Sequence, residues 1–123
     1  MFEINVVDSF SSAHFLSGYM GKCENLHGHN WKVKVTVKGT KLNSVGILMD
    51  FKDLKSILNK IIQKLDHKNL NDLDYFRQLN PSSENIAKFI YQELRQKLID
   101  FKEVQVSSVQ VWEQEKSSAI YYE

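Results

Sequence analysis

The chain has 123 residues, 42% of them hydrophobic and 25% charged, the balance of a soluble globular domain with one core. Its 16 Lys and Arg stand against 15 Asp and Glu, a net charge of +1, so the clustered basic excess of nucleic-acid and membrane surfaces is missing. A single cysteine excludes an intrachain disulfide and fits a reducing compartment. Residues 1–10 carry Glu3 and Asp8 and lack the pattern of a signal peptide or membrane span, so the chain reads as cytoplasmic.

Phe2, Ile4 and Val6 among polar neighbours predict a half-buried strand over residues 2–10. A Gly- and Ser-containing loop is expected from Leu16 to Cys23. Trp31 to Lys38 alternates apolar and polar without a break, the pattern of a strand with one buried face. Residues 39–47, with two glycines and a polar cluster, read as a loop. From Asp50 the period changes. Phe51, Leu54, Ile57, Leu58, Ile61, Ile62 and Leu65 fall on one helical stripe, with Asp50 as N-cap and Asp53 in the first turn. A polar loop is expected from Asp66 to Asn80. Pro81-Ser82-Ser83-Glu84-Asn85 then opens a second helix with Ile86, Phe89, Ile90, Leu94 and Leu98 on its apolar side. Strands are predicted over Val104–Glu113 and Ser118–Glu123. The apolar phase slips between Val106 and Val109, which predicts a bulge near Ser107-Ser108.

The order strand, strand, helix, helix, strand, strand predicts an α+β fold with an antiparallel sheet, as one domain over residues 1–123. Four strands covered by two helices leave sheet edges that invite pairing with further subunits.

The chemistry concentrates near the first loop. His27 and His29 are two residues apart, so in a strand their side chains share a face, and Gly28 between them leaves room for a ligand or backbone to approach. His14 can add a third imidazole if the first strand pairs with the second. Three histidines with an open fourth position are the pattern of a catalytic zinc site. Cys23 has three readings: a fourth ligand, a buried small residue, or a thiolate favoured by Lys22 and a nearby metal. Asp66-His67 is a carboxylate–imidazole pair suited to proton transfer, although His67 also suits the negative end of the preceding helix. Glu113 ends the third strand, either as an ordinary exposed residue or as a carboxylate that accepts paired N–H bonds from a guanidine-like ring edge. Ser82 and Ser83 read first as a helix cap. The same helix start also suits polar or anionic groups of a ligand.

Taken together, Phe10 to His14, Cys23-x-x-x-His27-Gly28-His29, Leu65-Asp66-His67, Leu70-Asn71-Asp72, Pro81 to Asn85 and Val111-Trp112-Glu113 resemble the 6-pyruvoyltetrahydropterin synthase / 6-carboxytetrahydropterin synthase family. The resemblance spans nearly the whole chain and is nearest to the bacterial 6-carboxytetrahydropterin synthases of queuosine and 7-deazapurine formation. It implies a tunnelling fold (T-fold), ββααββ, with both helices on one face of the sheet and sheets joined into β-barrels, commonly a hexamer made of two trimers. By resemblance His14, His27 and His29 bind Zn2+, and Cys23 is the general base. Asp66 and His67 form a proton relay that reaches Cys23 from a neighbouring subunit. Glu113 anchors a pterin, helped by Ser82, Ser83 and Glu84.

The implied reaction is a carbon–carbon cleavage of 7,8-dihydroneopterin triphosphate to 6-carboxytetrahydropterin, acetaldehyde and triphosphate. The motifs overlap with those of 6-pyruvoyltetrahydropterin synthases. Glu24, beside Cys23, reads as a solvated loop residue. It also keeps open the folate branch, in which some relatives use a glutamate of this loop to form 6-hydroxymethyldihydropterin. Two other classes compete: a non-catalytic metal- or pterin-binding module, and an assembly protein that uses its sheet edges.

Overall fold

In the computed structural model, which describes residues 1–19 and 24–123, hydrophobic alternation becomes four strands and helical periodicity becomes two helices. They run in the order β1 (Phe2–His14), β2 (His27–Gly39), α1 (Phe51–Ile62), α2 (Ser83–Lys97), β3 (Gln105–Gln114) and β4 (Ser117–Tyr121). The sheet has the order β1-β2-β3-β4, with every neighbour antiparallel. β1 and β4 are therefore its edges.

β1 and β2 both run further than the hydrophobic pattern predicts, pairing from Phe2↔Gly39 to His14↔His27. The alternation itself does not change over the added residues. Val6, Phe10, Ser12 and His14 of β1 face inward, as do Trp31, Val33, Val35 and Val37 of β2. What changes is the chemistry of the inward positions, from hydrocarbon to hydroxyl and imidazole. A reading by hydrophobicity stops where the site begins.

The expected bulge is present. Thr36 pairs with Ser108 and Val37 with Val106, which leaves Ser107 as the extra residue. The inserted residue returns Val106 to the face that carries Val109 and Val111. Ser107 Oγ donates to the Glu3 carboxylate across the outer face. A second break follows Trp112: Trp112 pairs with Ser118 and Gln114 with Ser117, so Glu113 has no cross-strand partner.

Both helices cover the inward face. Asp50 caps α1 by accepting from Lys52 N at 2.8 Å, and the helix buries Leu54, Leu58, Ile61 and Ile62. Phe51 departs from the expected stripe and is 54% exposed. It stands in the first turn and, with Phe2, Ile4, Leu42 and Ile47, lines an open apolar cleft. Ser82 Oγ caps α2 by accepting from Asn85 N at 3.2 Å. That helix buries Ile86, Ala87, Ile90, Tyr91 and Leu94, and each fully buried aliphatic side chain contributes roughly 1.5–3 kcal/mol. Gly39, at the end of β2, is required by a close approach: a Cβ there would lie 2.4 Å from Glu103 O.

The segment expected to be a polar loop between the helices is more ordered than that. It holds two 3-10 turns, Leu70–Asp72 and Asp74–Phe76, and buries Leu70 and Phe76 in the core. Leu70, Leu73, Phe76 and Leu79 recur every three positions, a spacing that matches neither the strand period nor that of an α-helix. The same segment runs along β1: His67 N donates to Ser11 O at 2.7 Å, Ala13 N donates to Lys68 O at 3.0 Å, and Asn69 bridges to Ala13 in parallel. Among the described residues no helix is long and apolar enough to cross a membrane.

Candidate metal centre and proton-transfer pair

The β1–β2 register builds the histidine cluster. His14 pairs with His27, and Ser12 with His29, so three imidazoles crowd the end of the inward face. The His14 ring centroid lies 4.7 Å from that of His27 and 5.2 Å from that of His29. Trp31 forms the floor. Its ring meets His14 edge-on at 4.8 Å, stacks on Phe10 at 5.9 Å, and is tied down by its Nε1 donating to Ser12 O at 3.1 Å.

Backbone carbonyls set the ring tautomers. His14 Nδ1 donates to Pro81 O at 2.7 Å and His27 Nδ1 to Asn25 O at 2.9 Å, which leaves each Nε2 with its lone pair free. A backbone carbonyl behind a ligating imidazole is the usual supporting contact in metal sites. His14 Nε2 and His29 Nε2 are buried without a hydrogen-bond partner. Buried polar atoms seldom stay unpaired, and here the missing partner is what a metal ion would supply.

Glu113 joins the cluster. Its Oε1 is 3.0 Å from His29 Nε2, an ion-pair distance without the direction of a hydrogen bond. One donor atom from each of His14, His27, His29 and Glu113 lies within 4.8 Å of the others, close enough to share one ion. Three imidazoles are the protein donor set of a catalytic zinc site, with the Glu113 carboxylate within reach of the same position. Burial pulls the His29 pKa below its ordinary 6.5, against the opposing pull of Glu113. The ring is therefore neutral at neutral pH, the form that binds a metal. From sequence Glu113 is expected only at a ligand ring. The alternation Val109, Val111, Glu113 makes its inward face legible, but not its distance from His29.

Asp66 and His67 are paired, with Asp66 Oδ2 3.0 Å from His67 Nδ1. Asp66 Oδ1 accepts from Ser11 N at 2.9 Å, and this backbone bond is the main reason its carboxyl titrates below the ordinary 3.8. His67 is the one non-glycine with positive φ among the described residues, at 55°. Histidine visits this left-handed region more readily than bulky residues do, but the conformation still costs energy and needs support. The support comes from Ser11 and from Ser12, whose buried Oγ donates to Leu65 O and accepts from Lys68 N at 3.2 Å. The His67 side chain is 82% exposed. Within this chain the pair is thus fixed but uncovered.

The remaining expected residues fall as follows. Cys23 lies outside the described residues. Ser82, Ser83 and Glu84 open α2 directly after Pro81, whose carbonyl holds His14, so the positive end of that helix stands beside the cluster. Ser82 Oγ is engaged as the cap, Ser83 is half-buried and Glu84 exposed. Gly28 is not required by any close approach within the chain, since a Cβ there would meet nothing nearer than Ser12 O at 3.9 Å. Glu24 is not the solvated residue expected. It is half-buried, with its carboxylate accepting from Leu16 N at 3.2 Å and its N–H donating to Leu16 O at 3.1 Å. The chain doubles back here, which local pattern cannot show.

A four-stranded antiparallel sheet, two helices on one face and a three-histidine, one-carboxylate cluster at its end define a T-fold protein with a candidate metal centre. The chain belongs to the 6-pyruvoyl tetrahydropterin synthase family, an enzyme family, which it matches over residues 3–123. A putative 6-carboxy-5,6,7,8-tetrahydropterin synthase of Archaeoglobus fulgidus is 42% identical over 105 residues, covering 85% of each chain. The 6-carboxy-5,6,7,8-tetrahydropterin synthase of Haemophilus influenzae is 32% identical over 145 residues, covering all of both. The structure of Caenorhabditis elegans 6-pyruvoyl tetrahydropterin synthase superposes with a TM-score of 0.85 at 28% identity, covering 99% of this chain and 95% of that one.

Proposed function

We propose that this chain is a zinc-dependent 6-carboxy-5,6,7,8-tetrahydropterin synthase. It would cleave 7,8-dihydroneopterin triphosphate to 6-carboxytetrahydropterin, acetaldehyde and triphosphate, in queuosine and 7-deazapurine formation. The observation that carries the reading is the His14–His27–His29 cluster, with two buried Nε2 atoms that lack a hydrogen-bond partner. The names of the Archaeoglobus and Haemophilus relatives support the choice of substrate branch.

The three histidines would hold the ion, and zinc bound there would supply Lewis-acid stabilisation of charge developing on substrate oxygens. Cys23 removes a proton from the substrate side chain. His67, held by Asp66, gives and takes protons as general acid and base. Glu113 accepts paired N–H bonds from the pterin edge, and its place beside His29 sets the ring next to the cluster. The Ser82-Ser83-Glu84 helix start receives polar groups of the substrate. The exposure of His67 supports an assembly in which sheet edges of neighbouring subunits pair, as a hexamer of two trimers, and carry His67 toward another subunit's Cys23. Residues 1–123 act as one cytoplasmic domain in this reading.

A second reading, 6-pyruvoyltetrahydropterin synthase, is favoured by the close superposition on the Caenorhabditis enzyme. Product analysis separates the two. Zinc-loaded protein is incubated with 7,8-dihydroneopterin triphosphate, and pterins and aldehydes are identified by mass spectrometry. Carboxytetrahydropterin with acetaldehyde supports the lyase. A pyruvoyl pterin moves the chain to the second reading, a hydroxymethyl pterin to the folate branch. Absence of turnover discards the enzymatic claim for this substrate.

A further inference from the structure

Strand pairing does not hold Glu113. β2 and β3 are paired from Lys38↔Gln105 to Lys32↔Trp112, and the ladder stops one residue short of it. On the other side Trp112 pairs with Ser118 and Gln114 with Ser117, which leaves Glu113 as the extra residue of a bulge. A bulge re-aims a side chain at the cost of the ladder bonds that would fix it. Yet the Glu113 carboxylate stands 3.0 Å from His29 Nε2. The neighbouring rung supplies the missing support. Val111 and Glu113 share the inward face, so Trp112 lies on the outer face, directly across from Lys32. Lys32 Nζ is 4.6 Å from the centroid of the Trp112 ring. The pull of an ammonium on an indole face adds to the cross-strand packing of the two side chains. Trp112 is half-buried, and the pair lines a hollow of the outer face with Asn30 and Gln114.

Lys32↔Trp112 is the last tie between the strand that carries His29 and the strand that carries Glu113, so it sets how the two residues stand to each other. We propose that Trp112 and Lys32 are positioning residues that lock the Glu113 bulge from the opposite face of the sheet and thereby aim its carboxylate. A carboxylate that accepts two parallel N–H bonds tolerates little rotation. Freedom at the bulge therefore weakens pterin binding and leaves the histidine cluster intact. The functional half of this inference rests on the reading of Glu113 as the pterin anchor.

The test has two measurements. In the first, nuclear Overhauser contacts between the Glu113 side chain and the His29 ring are compared in metal-free wild type and Trp112→Ala. The contacts are expected in wild type and not in the variant. Contacts absent from wild type, or kept in a folded Trp112→Ala, would overturn the proposal. In the second, 7,8-dihydroneopterin is titrated calorimetrically into zinc-loaded protein in a double-mutant cycle of Trp112→Ala with Glu113→Gln. Trp112→Ala should weaken binding about tenfold alone and less than about twofold on top of Glu113→Gln, with zinc stoichiometry unchanged. Equal loss in both backgrounds would make Trp112 a general support of the fold and overturn the proposal, as would no loss in either. Should Trp112→Ala not fold, Lys32→Met replaces it in both measurements, because it keeps a stem over the ring and removes the charge. It should then weaken or abolish the Overhauser contacts and weaken pterin binding about two- to fivefold, an effect that vanishes in Glu113→Gln. Unchanged contacts and binding in Lys32→Met would overturn the proposal. Should Glu113→Gln bind too weakly to measure, the Overhauser contacts decide alone. Should wild type not bind the pterin, the anchor reading of Glu113 fails, and the contacts still decide the positioning claim.

Discussion

The two candidate reactive regions are built in opposite ways. The histidine cluster sits at the end of the core face, with His14 buried and His27 and His29 half-buried. His14 and His29 pack on Trp31, and the Pro81 and Asn25 carbonyls hold His14 and His27 from behind. The Asp66–His67 pair lies on the outer edge of β1, with a strained backbone locked by Ser11 and Ser12 and a side chain open to solvent. A metal site gains from burial, because neutral imidazoles and exclusion of water favour binding. A rigid, exposed imidazole can exchange protons with a group from outside its own chain. One region gathers all its candidate donors within the chain. Under the proposed function the other is half of a site.

The sharpest way to break this contrast is to remove the exposed imidazole. His67→Ala should lower kcat by about 10²–10⁴ while zinc stoichiometry and thermal stability stay near wild type, checked by steady-state kinetics and metal analysis. Loss of zinc in that variant would mean that the two regions are not separate. The buried floor comes next. Trp31→Ala removes the ring beneath two histidines and should cost about 3–5 kcal/mol in denaturant unfolding of metal-free protein. A smaller effect is expected at the helix start: Ser82→Ala removes the cap and should cost about 1 kcal/mol by the same measurement, with product identity unchanged.

The smallest effect is a pH dependence. The Asp66 pKa is lowered in the fold, chiefly by the Ser11 N–H, so the unfolded chain binds a proton there more readily than the folded one. The resulting stability is present above the ordinary 3.8 and is lost as pH falls through the lower folded value. Asp66→Asn should therefore be less stable than wild type at neutral pH, and the gap should narrow below about pH 4 in thermal melts.

Much of this was legible from local pattern. Val33, Val35 and Val37 gave β2 its face, Asp50 and Ser82 gave the helix caps, and the slip between Val106 and Val109 gave the bulge at Ser107. The shared face of His27 and His29 followed from strand geometry. What escaped depends on contacts distant in sequence. Nothing near Asn71 or Asn80 indicates that they hold Phe15 and Ser17, and nothing near Ser12 indicates that it supports the turn at His67. Phe51 has the right period for burial and remains exposed, because position along the helix decides burial as much as phase does. Glu113 lay between the two cases, since its face was readable but its distance from His29 needed the β2–β3 register.

The central claim is that one chain supplies a complete metal-binding centre through His14, His27 and His29. Calorimetric titration of zinc into chelator-treated wild-type protein and into His27→Ala tests it most directly, with circular dichroism reporting the fold. The account predicts one ion per chain in wild type and binding weaker by more than about 100-fold in a folded His27→Ala. Equal zinc affinity in a folded His27→Ala would contradict it.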